Sequence, residues 1–143
     1  RKGNPPMGQF FPGRKSLSEL FPDRCHGSLY SKDYYNVIRN SKLTLNRHRD
    51  ELADGPNIRV FEVTGLGSCL ITDRGKEMSE FFVSGKEIVT FSSTEDAIEK
   101  IDYLLRHPNE RRAIAKAGQE RTIKEHTIMN KCVRIDQVVQ ARI

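Results

Sequence analysis

An α/β fold, in which a parallel sheet is covered by helices on both faces, is what this sequence predicts, and three observations carry the prediction. The runs SCLITD (68–73) and EIVTF (87–91) are apolar almost throughout, the mark of strands buried on both sides rather than of half-exposed strands, which alternate. Segments of helical character lie between the short strands. Parallel neighbours need crossover connections, so the alternation implies a Rossmann-like parallel sheet flanked by helices.

The elements follow in order along the chain. Residues 1–13, RKGNPPMGQFFPG, hold three of the six prolines and read as a linker or irregular lead-in with a short strand at 9–11. KSLSELF is a short helix, CHGSLY (25–30) a candidate strand, and SKDYYNVIRN a helix opened by Ser31. KLTLN (42–46) is a strand, and NIRVFEVTG (57–65) a helix closed by glycine. SCLITD comes next, then KEMSEFF (76–82) as a helix and EIVTF as the last strand. In SSTEDAIEKIDYLLRHP, Ser93 and Asp96 have the spacing of a capping box. Behind them Ala97, Ile98, Ile101, Leu104 and Leu105 fall at i, i+1, i+4, i+7 and i+8, the stripe of an amphipathic helix. Pro108 stops that helix and is well placed to start the next, NERRAIAKAGQERTIKEH, whose apolar stripe is weaker. TIMNKCVRIDQVVQARI closes the chain as a third helix. The expected organisation is a lead-in at 1–13, one Rossmann-like domain at 14–126 and a C-terminal helix at 127–143.

Composition narrows the class. The length suits about one domain, and the start at Arg1 without a methionine suggests a piece of a longer protein. No apolar run approaches the roughly 20 residues that cross a bilayer, and no secretory signal is visible, so a cytoplasmic protein is expected. Cys25, Cys69 and Cys132 are odd in number and far apart, which gives neither a disulfide framework nor a zinc knuckle. The four histidines lack metal-ligand spacing, and no metal is expected. Basic residues outnumber acidic ones 13 to 8 as far as Lys76 and balance them 11 to 11 beyond, so the whole excess lies in the first half. That is thin for a nucleic-acid surface and suits a pocket for a small anion or an ordinary basic surface. No Gly-x-Gly-x-x-Gly loop or Gly-x4-Gly-Lys-Ser/Thr loop is present, which argues against a dinucleotide site and an NTPase.

Ligands of open parallel sheets sit beyond the carboxyl ends of the strands, here the loops 46–56, 73–75 and 92–93. The first, NRHRDELADGPN, delivers the chain into the helix IRVFEVTG, whose free N–H groups near Asn57 and Ile58 form an anion site. Gly55 and Pro56 shape the approach, and Arg59 in the first turn suits a phosphate or braces the loop. Glu62 one turn on can accept from the vicinal hydroxyls of a ribose, or pair with Arg59 or Arg47. Asp54 can serve a hexose in the same way, or simply form the turn before Gly-Pro. His48 reads as an acid or base, or as a solvated loop histidine. Carboxylate, phosphate site, carboxylate is the order that recognition of a nucleotide-sugar asks for.

The segments SKLTLNRHRD, GPNIRVFEVTGLGSCLITDRG, GKEIVTF and HPNERRAIAKAGQERTIKEHT, over about two thirds of the chain, resemble the C-terminal nucleotide-sugar-binding domain of GT-B-fold glycosyltransferases. Within these the branch they are most similar to is the spore-maturation (CgeB-type) group. The resemblance implies a Glu-x7-Glu pattern whose second acid is Glu62 and whose first position holds the shorter Asp54. It implies a diphosphate contact at Arg14 and Lys15, a nucleoside diphosphate sugar as co-substrate with no metal, and an acceptor site in an N-terminal domain of the same chain. On this reading the fragment alone is inactive. The alternative is a non-catalytic α/β module that binds a nucleotide or a protein.

Overall fold

The computed structural model describes residues 15–48 and 55–142. The chain divides between Ser31 and Lys32 into two compact units. The first contains α1 (Leu17–Leu20) and a single 3-10 turn (Pro22–Arg24), neither with a buried residue. Ser16 caps α1 reciprocally with Glu19, a complete capping box. CHGSLY is not a strand: its backbone is irregular, and Leu29 and Tyr30 are exposed. A strand exists only by pairing, and this unit has no other strand among its described residues. The strand expected at 9–11 lies outside the described residues.

The second unit carries all but the first residue of α2 (Ser31–Asn40), then β1 (Leu43–Asn46), α3 (Ile58–Gly65), β2 (Cys69–Asp73), α4 (Met78–Phe81), β3 (Val89–Phe91), α5 (Thr94–Arg106), α6 (Pro108–Glu125) and α7 (Ile128–Gln140). The strands form a parallel sheet in the order β1-β2-β3, with Leu45 beside Ile71 and Ile71 beside Val89. The α/β, Rossmann-like expectation therefore holds. The helix expected over 76–82 is a single turn, since only Met78–Phe81 closes.

The position of the central strand explains its apolar run Cys69, Leu70 and Ile71. Cys69 and Ile71 face one cluster with Val89, Leu104 and Ile114, while Leu70 faces the other with Ile38, Val60, Val63, Met78, Phe82 and Ile88. Helices α2, α3 and α4 cover this second face, and α5 and α6 the first. Leu70, Ile71, Val60 and Val63 are wholly buried, each contributing about 1.5–3 kcal/mol by leaving water. Of the α5 stripe, Ala97 and Leu104 are buried, whereas Ile98 and Leu105 remain exposed. Ser93 Oγ caps the Asp96 N–H of α5, but the reciprocal bond of a capping box is absent. The short Asp96 side chain instead takes the Ser92 N–H at 2.9 Å and Lys100 Nζ at 2.9 Å.

Two glycines fix the framework. Helix α3 runs through Gly65, and the residue that turns the chain is Gly67, with φ of 77°. There Gly67 N–H reaches Thr64 O and Ser68 N–H reaches Val63 O, the paired bonds of a Schellman ending that leads directly into β2. Gly118 lets α6 approach the β3 side so closely that an added Cβ would lie 2.3 Å from Glu87 O. Beside it Thr64 and Thr122 hydroxyls meet at 2.7 Å and Gln119 donates to Gly65 O. By its end α6 has reached the α3 face, where His126 packs against Phe61, Phe81 and Phe82. Helix α7 has a complete capping box at Thr127 and no buried residue.

Candidate functional site

The strand order brings Asn46, Asp73 and Phe91 to one edge of the sheet, the carboxyl edge, and the start of α3 lies over the first two. A closed set of side chains fastens them. Asn57, at the position before the first turn of α3, donates through Nδ2 to Asn46 Oδ1 at 3.3 Å. Asn46 donates to Thr72 Oγ1 at 3.2 Å, and Thr72 to Asp73 Oδ1 at 3.2 Å. Asp73 Oδ1 lies 2.7 Å from His48 Nδ1, and the Asn57 backbone N–H is 3.2 Å from His48 Nε2, which closes the ring. Both Asp73 oxygens also accept the backbone N–H of His48 at 3.0 Å.

This geometry fixes the histidine. A backbone N–H can only donate, so Nε2 is unprotonated and Nδ1–H is the donor to Asp73. His48 is therefore not a solvated loop residue. Its side chain is 2% exposed and both ring nitrogens are engaged. Asn57 does not cap α3 with its side chain, and its backbone N–H is taken by His48, so the first open donors of the helix move on to Ile58 and Arg59. The Asn57 Oδ1 is buried without a partner.

Glu62 is half-buried on α3. Its partner is neither Arg59 nor Arg47 but the Tyr34 hydroxyl of α2, which donates to Oε2 at 2.9 Å. Arg59, exposed one turn before Glu62, lays its guanidinium 5.7 Å from the centre of the Tyr34 ring. Burial, and then the bond to Glu62, hold the Tyr34 hydroxyl above its ordinary pKa, so it stays a donor at neutral pH. Gly55 is half-buried, and among the described residues a Cβ there would touch Glu77 Oε2, at 3.4 Å. Lys15 is exposed in the first unit. Arg14 and Asp54 lie outside the described residues.

Two clefts run along the same edge. One, of about 390 Å³, is bordered by Arg47, Asp73, Arg74 and Ser92 to Thr94. The other, of about 410 Å³, lies between Arg74, Lys76, Met78, Phe82 and Thr90. Both fall within the size range of small-molecule sites. All three loops singled out from the sequence thus meet here. Tyr34 was not anticipated, and Asp73 and Arg74 were singled out only as part of the loop 73–75; the signal for the ring was the polar residues Asn46 and Thr72 in the strands.

No helix among the described residues is long and apolar enough to cross a membrane. Residues 8–137 match the family described as "Glycosyl transferase-like". None of the curated proteins matches the chain.

Proposed function

Since the chain belongs to this glycosyl transferase-like family, we propose that it is the donor-binding part of a transferase that moves a sugar from a nucleoside diphosphate to an acceptor. In finer terms it is the C-terminal half of a GT-B enzyme of the spore-maturation (CgeB-type) branch. The observation that carries the reading is the half-buried Glu62, one turn into a helix whose start is fastened to the carboxyl ends of β1 and β2, with Arg59 on the same helix. A carboxylate held there has an oxygen for ribose hydroxyls, and the open N–H groups of Ile58 and Arg59 suit a phosphate.

The chemistry required is a substitution at the anomeric carbon. The bond from that carbon to the diphosphate oxygen breaks, the bond to the acceptor oxygen forms, and the acceptor proton leaves with a base. On this reading the chain's contribution is electrostatic: preorganised N–H groups and the Arg59 guanidinium stabilise the charge that develops on the departing diphosphate.

The test is calorimetric titration of the chain with UDP, GDP, ADP and dTDP in magnesium-free buffer. Selective binding of one diphosphate is the expected outcome, and Glu62→Ala should weaken it by about 1–3 kcal/mol. A folded chain that binds none of the four overturns the donor-site reading.

A further inference from the structure

Glu62 has one oxygen engaged and one open. Tyr34 Oη holds Oε2 at 2.9 Å, and among the described residues Oε1 accepts nothing. The last torsion of a glutamate is broad and weakly preferring, so a half-buried carboxylate without a fixed donor presents its oxygens over a wide range of angles. The tyrosine removes that freedom. It is itself well held: its ring packs against the core cluster of Ile38, Val60 and Val63, Tyr35 meets it edge-on at 5.3 Å, and Arg59 lies over its face at 5.7 Å.

We propose that Tyr34 is the positioning residue of the nucleotide site, orienting Glu62 so that its open oxygen receives the ribose hydroxyls and thereby setting a preference for ribonucleotides over sugars lacking those hydroxyls. The inference rests on the reading of Glu62 as the ribose contact. It adds a second helix to the site, because Tyr34 stands on α2, 28 residues away from Glu62 in sequence. The physical reason for discrimination is that a polar group built to meet a hydroxyl is left unpaired by an analogue that lacks it. The bond is worth most when the carboxylate is already aimed, since no orientational freedom is then lost on binding.

The experiment measures Kd by calorimetry for UDP, GDP and ADP and for their 2′,3′-dideoxy counterparts, on the whole chain and on Tyr34→Phe and Glu62→Ala. Phenylalanine keeps the ring against the core and under Arg59, and removes only the hydroxyl. The expected result is that Tyr34→Phe lowers the ribo-to-dideoxy affinity ratio about 3- to 10-fold, leaves dideoxy binding unchanged, and that Glu62→Ala abolishes the ratio. An unchanged ratio in Tyr34→Phe beside a lost one in Glu62→Ala overturns the inference and leaves the ribose contact standing. Equal weakening of both nucleotide series in Tyr34→Phe marks a structural role and also overturns it. A wild-type ratio in Glu62→Ala, or no binding by the unmodified chain, removes the ribose reading and the inference together.

Discussion

Replacing His48 by leucine is the sharpest probe of the carboxyl edge. Leucine fills a similar space in a pocket that leaves the histidine side chain 2% exposed, so the change deletes two hydrogen bonds with little loss of apolar contact. One is the acceptor for the Asn57 N–H, which is then left facing a methyl group. A donor stranded in this way costs about 1–3 kcal/mol. The other is the Nδ1–H donor to Asp73, which still keeps the His48 backbone N–H and the Thr72 hydroxyl. That partial loss adds about 1 kcal/mol. The expected destabilisation is about 2–4 kcal/mol, a large share of the roughly 5–15 kcal/mol that holds an ordinary domain. Urea unfolding followed by circular dichroism measures it, with an unchanged denaturant slope showing that the unfolded state is the same. A variant as stable as the parent would refute the claim that this ring holds α3 to the sheet.

Two further outcomes follow from the framework. Gly118→Ala places a methyl 2.3 Å from Glu87 O, so α6 must move away by close to an ångström, and a loss of about 1–3 kcal/mol in the same unfolding assay is expected; an alanine accepted without cost would mean that the close approach is not real. Burial pushes the Cys69 thiol from 9.0 up to about 11. The native chain therefore keeps this proton at pH values where the unfolded chain releases it. Its contribution is fully present below about pH 9 and is lost as the pH rises through about 11. At pH 8 a maleimide should modify the exposed Cys132 and spare the buried Cys69 until urea unfolds the domain; labelling of Cys69 at the same rate as Cys132 would contradict its burial.

The parts of the fold that could be read from the sequence are those encoded by neighbours. Cys69, Leu70 and Ile71 are consecutive apolar residues because both faces of β2 are covered, and the α5 helix follows its stripe and its Pro108 boundary. CHGSLY misled because an aliphatic and an aromatic residue suit a strand locally, whereas a strand is made by its partner. The site was legible only as a location. Asn46 meets Thr72 across 26 residues, His48 meets Asp73 across 25, and Tyr34 meets Glu62 across 28; no local period records such pairings. Glu62 and Arg59 were visible as charges out of place on an apolar helix, but the identity of the Glu62 partner depended on the packing of α2 against α3.

The ring at the carboxyl edge also has a direction, which no hydrogen need be seen to establish. Asp73 can only accept, while the backbone N–H and the side-chain Nδ2 of Asn57 can only donate, so Asp73 is the sink and Asn57 the source of two arms. Along the first the order is Asn57 N–H to His48 to Asp73; along the second, Thr72 must spend its hydroxyl on Asp73, so it takes a hydrogen from Asn46, which in turn takes one from Asn57. No member can reverse alone without setting two acceptors or two donors face to face. Asn57 is thus locked with its amide nitrogen toward Asn46, and its Oδ1 is turned to where nothing donates. The orphaned buried oxygen is the residue of that polarity: one acceptor left unsatisfied so that the other groups of the circuit all run the same way.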